Sequence, residues 1–246
     1  MSAYNTIDTS RQGLEEGLLG PKESWVCKES DGIEFGAPVM GYRGDADGGY
    51  NFHNDTAKIV LDGDYQADNV INGTVNGVAI SEVTWSSDHD TTVALVVAAY
   101  ALLSGVEAIL DPLDGDSRTI LIQSKGSANI TTQVITLGSG QPTPTITYGS
   151  SQIFVGVSLF SQKYPGEYEQ YDTINVMVSG GKLNVPVTAT VEANNEAYID
   201  NSGADLGSFS SAGKEIAAKY RGNATSGNLV ILEVTGKTEM TYFDNF

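Results

Sequence analysis

Apolar positions along the chain mostly alternate with polar ones or run in short blocks, and a single stretch has helical spacing. Val93, Val96, Val97 and Tyr100 fall at i, i+3, i+4 and i+7, which puts them on one helical face. Ser86, Ser87, Asp88, Asp90 and Thr91 just ahead offer N-caps, and the two acids suit the positive end of a helix dipole. Ser104-Gly105 supplies a stop. Elsewhere the spacing predicts strands: 57–61, a strand-rich stretch at 70–85, then 106–110, 119–123, 133–136 and 145–148. Beyond these come 153–160, 173–178, 183–191, 197–199 and 228–234. Residues 33–42 read as one strand or as two broken at Pro38, and Pro186 predicts an edge or a bulge. Asn72-Gly73, Asn76-Gly77 and 179–182 (Ser-Gly-Gly-Lys) are hairpin-turn signals, because these residue types tolerate positive φ.

The pattern therefore predicts a mainly β (α+β) chain with two β-rich units. One, 56–148, carries the main helix; the other, 149–236, is β only. Residues 1–30 are polar apart from a short piece containing Leu14, Leu18 and Leu19, which Gly20-Pro21 ends. That stretch reads equally as a frayed terminus or as an extended arm that orders on a neighbouring subunit. The last seven residues carry Tyr242, Phe243 and Phe246, which either dock on their own domain or anchor to a partner.

Charge narrows the function classes. The 246 residues hold 31 acids against 13 bases, a net of −18, and from Ile59 to Ser117 there is no Lys or Arg. Such a chain repels phosphate, so neither nucleic acid nor an anionic membrane is an expected partner. The longest apolar run, 93–103, is too short to span a bilayer. Residues 1–20 lack the basic start and apolar run of a secretory signal, so synthesis in a cytoplasm is expected. A lone cysteine, Cys27, excludes an intrachain disulfide and a multi-thiolate metal site.

Candidate chemistry is thin. Ser87-Asp88-His89-Asp90 contains the residue types of a hydrolytic triad, but adjacent residues cannot adopt that constellation, and no G-x-S-x-G elbow occurs. His53 beside Asp55 is too few ligands for zinc. Three acidic loops carry turn chemistry: Asp45 with Asp47, Asp62 with Asp64, and Asp111 with Asp114 and Asp116. The third is the best candidate for calcium, although none has a closing Glu at the required spacing. Tyr164, Tyr168 and Tyr171 cluster around Pro165-Gly166 and read either as packing or as a sugar- or protein-binding surface. No catalytic residue, cofactor site or metal site is expected.

Phe35-Gly36-Ala37-Pro38-Val39-Met40-Gly41-Tyr42 resembles the opening strand of phage capsid decoration proteins. Asn72 to Val78, Val83 to Thr92 with the Ala-rich helix, and Gly140 to Tyr148 resemble, in that order, a small module of phage virion proteins. Phe154 to Ser158 and Thr173 to Val178 are similar to the β-barrel that completes them. Together these motifs, within 33–235, resemble the bacteriophage structural cement protein family. The resemblance implies a β-barrel domain formed by 31–55 with 149–246, an inserted α+β domain at 56–148, and an arm at 1–30. It implies a non-enzymatic virion protein on the capsid exterior, bound to the major capsid protein. A homotrimer is the first expectation for self-association and a dimer the second. Contacts with partners are expected from Leu14, Leu18, Leu19, Tyr164, Tyr168, Tyr171, Tyr242, Phe243 and Phe246. A phage tail or fibre component that binds a host glycan through the tyrosines is the alternative; a bacterial adhesin module is disfavoured without a secretion signal.

Overall fold

The computed structural model describes residues 13, 15–16, 20–42, 45–125, 129–164 and 166–239. The chain is mainly β with one α-helix, and no closed barrel is found among the described residues. It divides into two compact units. The first draws on residues up to Phe52 and again from Gln152; the second is the continuous segment His53–Ser151 between them.

The first unit contains two large sheets. One runs, in spatial order, Glu15–Glu16, Lys182–Pro186, Leu229–Val234, Lys214–Tyr220, Glu196–Ile199 and Phe209–Ser210, all antiparallel. The other is ordered Thr238–Glu239, Ile153–Ser158, Thr173–Met177, Lys22–Cys27 and Gly48–Gly49, with Pro38–Gly41 also on Ile153–Ser158. Met40, Phe154, Val157 and Met177 of the second sheet share a core with Leu183, Val185, Ile199, Ile216, Leu232 and Val234 of the first. On the second sheet's opposite side, Trp25, Cys27, Val155, Ile174 and Val176 pack with Ile33, Phe35 and Tyr168. Apolar residues on both faces explain why Ile153–Ser158 reads as a nearly continuous apolar run.

Two expectations change here. Lys22–Cys27 falls inside the stretch read as an arm, yet it pairs along Thr173–Met177 and buries Trp25 and Cys27. Its polar first half hid the strand. The turn at 179–182 joins no hairpin: Thr173–Met177 and Lys182–Pro186 belong to different sheets. The chain crosses between sheets there, with the Gly180 N–H donating to the Val234 carbonyl at 2.7 Å. Turn residues report a reversal of direction, not which strand receives the chain. Pro38 opens its own strand after a turn, so 33–42 is two strands, and Pro186 sits at the last position of its strand.

The second unit pairs Val106–Leu110, Thr119–Ser124, Thr56–Leu61 and Pro144–Gly149 in one antiparallel sheet. A smaller sheet joins Thr132–Leu137, Val70–Val75 and Val78–Ala79, with Val83–Thr84 also on Val70–Val75. The helix His89–Ala101 buries Thr92, Val93, Val96, Ala99 and Tyr100, and Asp88 caps it by accepting from the Thr91 N–H at 2.7 Å. Asn76-Gly77 makes the expected hairpin turn, with φ of 49° and 78°. Asn72-Gly73 does not turn; it lies within Val70–Val75. Gly73 is there for space: a Cβ at that position would collide with the Tyr100 hydroxyl. That hydroxyl donates to the Gln133 carbonyl at 2.7 Å.

Candidate functional site

The polar groups singled out in the sequence serve the fold. The Ser87 hydroxyl donates to Asp88 at 2.8 Å, and Asp88 is committed to the helix cap. His89 accepts the Tyr65 N–H at Nδ1, 3.0 Å away, and its Nε2 lies 3.8 Å from Asp64. Asp64 in turn takes a forked pair of contacts from Arg118, with Nε and Nη2 each at 2.9 Å. Serine, histidine and aspartate therefore do not converge on a nucleophile.

The acidic loops behave in the same way. Asp111 accepts the Leu113 N–H at 3.0 Å and the Lys58 ammonium at 3.3 Å. Asp114 accepts the N–H groups of Asp116 and Arg118, at 3.1 and 2.8 Å. Asp45 accepts the Gly48 N–H and the Tyr50 hydroxyl, at 3.2 and 2.6 Å. Among the described residues, no group of three or more His, Cys, Asp or Glu side chains could hold a metal ion. Several of these carboxyls are held below the usual carboxylate range. The Arg118 guanidinium does this to Asp64, Ser139 to Asp68, and the Thr91 N–H to Asp88.

The three clustered tyrosines separate. Tyr168 is fully buried, donates its hydroxyl to the Leu159 carbonyl at 2.8 Å, and stacks edge-on against Phe35. Tyr164 is half-buried, its ring centroid 5.1 Å from that of Tyr168. Tyr171 alone faces solvent, 73% exposed. Its φ of 71° is unusual for a side chain of that size. The turn is fixed by Tyr171 N–H donating to the Cys27 carbonyl at 2.7 Å and by the Glu169 N–H donating to Asp172 at 2.9 Å. The three rings thus do not share one binding platform; the structure presents a single tyrosine on a braced turn. Cys27 is buried, which pushes its thiol up, and its Sγ lies 3.5 Å from the Tyr168 carbonyl oxygen. Leu14, Leu18, Leu19, Tyr242, Phe243 and Phe246 lie outside the described residues.

A surface that the sequence reading passed over lies on the small sheet of the second unit. Val70, Asn72 and Thr74 point away from the core and stand opposite Leu137, Ile135 and Gln133 on the neighbouring strand. Thr84 opposite Val70 and Ala79 opposite Thr74 extend the same face. Ile135 and Leu137 are each more than half exposed, and none of the eight side chains is ionisable. A sequence signal existed: between Lys125 and Lys163 no residue is charged.

Residues 114–235, about half of the chain, match the family model described as structural cement protein (E217 gp24/Pam3 gp6). The match starts in the acidic loop before Thr119–Ser124, spans the later strands of the second unit, and ends just after Leu229–Val234. None of the curated proteins matches the chain.

Proposed function

We propose that this phage structural cement protein binds the outer face of the major capsid protein lattice and stabilises the head. The family match carries the reading. The body suits it, because two β units with buried cores offer stiff surfaces. A cement that binds only the assembled shell stabilises it by mass action, in proportion to RT ln(1 + [L]/Kd). The acid excess favours a protein lattice over the packaged nucleic acid as the partner. Tyr171 is the contact this reading ranks first among described residues, since a rigid, exposed aromatic is a good anchor. The segments bearing Leu14, Leu18 and Leu19, and Tyr242, Phe243 and Phe246, are proposed to reach neighbouring subunits. The copies are proposed to assemble symmetrically, as a trimer or a dimer. A glycan-binding tail role is weakened by the burial of Tyr168.

Cryo-electron microscopy of purified virions tests this directly. Density for the chain on the outer capsid, together with heads that resist heat better when it is present, is the expected result. Density confined to the tail, or none on the particle, overturns it.

A further inference from the structure

We propose that the groove between the end of the helix and the Asn76-Gly77 hairpin, in the second unit, is the docking site for residues 240–246 of this chain. The groove has a volume of about 400 Å³ and is lined by residues of that unit alone. Binding sites usually measure about 300–1,000 Å³. Val75, Val106 and Ile130 are buried and form an apolar floor; Val78, 59% exposed, and half-buried Leu103 add apolar walls. Leu102, next to Leu103, is 80% exposed. Lys125 lines the same groove. The second unit has three bases, and Lys58 is paired with Asp111 and Arg118 with Asp64. Lys125 has no ion-pair partner among the described residues. Glu107, the one acid within two residues of a lining position, points to the opposite side of its strand from Val106. The groove therefore suits an apolar segment that carries a negative charge. Residues 240–246 have that character: Met240, Tyr242, Phe243 and Phe246 with a single charge, Asp244.

Reach favours this segment over a foreign one. The strand Thr238–Glu239 pairs with Ile153–Ser158, and Glu239 stands opposite Ile153. Ile153 is two residues from Ser151, whose N–H donates to the Asp55 carboxylate at 2.7 Å. The Asp55 carbonyl accepts the N–H of Ser124, a lining residue, at 2.8 Å. These links span at most about 22 Å from Glu239 to the groove. Seven extended residues cover about 24 Å, so Phe246 reaches the groove with Asp244 near Lys125. A tether this short holds its end at a millimolar effective concentration, so an isolated copy fills its own groove. Where copies stand side by side, a neighbour's groove offers the same contact, and an exchange of tails links copies without any new surface. That exchange rests on the shell-binding reading; the contact within one chain does not.

Disulfide trapping in the free, full-length protein at micromolar concentration tests the contact without a shell. The only native thiol, Cys27, is buried, so the background is low. Under mild oxidation Val78→Cys with Asn245→Cys is expected to close an intramolecular disulfide about tenfold faster than Leu137→Cys with Asn245→Cys, since docking raises the effective thiol concentration. Leu137 is as exposed as Val78 and lies at the far end of the same small sheet. Adding Lys125→Glu to the Val78 pair should slow closure about threefold, and adding Asp244→Lys to that variant should restore it. Ser104→Cys is the substitute if Val78→Cys does not fold. Equal closure rates for the two pairs, or a rate indifferent to Lys125→Glu, overturn the proposal. So does cross-linking only between copies, which would assign the groove to a neighbour's tail.

Discussion

In the first unit the strand Ile153–Ser158 has apolar neighbours on both faces, whereas in the second the strand Thr132–Leu137 alternates strictly between buried and exposed. The same architecture class thus uses two burial schemes. A sheet covered on both sides tolerates change nowhere along a strand; a sheet covered on one side leaves every second position free for contact. The difference separates a structural body in the first unit from an available face in the second.

Phe154→Ala, in the doubly covered sheet, should cost about 3–5 kcal/mol, because the cavity has no room to collapse. Urea unfolding checks this; a loss as small as that of a surface change would break the distinction. Gly73→Ala is expected to cost about 1–3 kcal/mol by forcing a methyl onto the Tyr100 hydroxyl. Tyr100→Phe alone should cost about 1 kcal/mol through the lost bond to Gln133. In the double variant the two losses should fall short of additive, which a double-mutant cycle reads.

Acidification should affect the second unit more than the first. Asp64, Asp68, Asp88 and Asp114 of that unit have depressed pKa values, against Asp45 in the first. A carboxyl with a depressed folded-state pKa contributes stability above its unfolded value, near 3.9 for Asp, and loses it as pH falls through the folded one. Hydrogen exchange below about pH 4 should therefore show protection lost first within 53–151. Ile135→Ala, on the exposed face, should change stability by no more than about 0.5 kcal/mol. A larger loss would mean that the face is structural.

Much of this was legible in residue order alone. The 3.6-residue spacing of Val93, Val96 and Tyr100 located the helix, because burial on one side of a helix imposes that period. Alternation located Thr132–Leu137 and Val70–Val75 for the corresponding reason in a sheet. The Asp-rich loops were legible as turns, since short acidic side chains bond their own backbone. Apart from the Asn76-Gly77 hairpin, strand partners were not legible from local pattern. The glycine turn at 179–182 leads into a second sheet, and Gly73 turns nothing because it makes room for Tyr100; both depend on segments distant in sequence. The tyrosine cluster divides for the same reason: packing against Phe35 buries Tyr168, as the packing alternative expects, and leaves Tyr171 outside. Sequence by itself determined the mainly β class, the helix and the acidic, histidine-poor character, since those follow from local periodicity and composition. Only tertiary structure decided which strands pair and which uncharged side chains gather on one exposed face, because those are set by contacts between segments far apart along the chain.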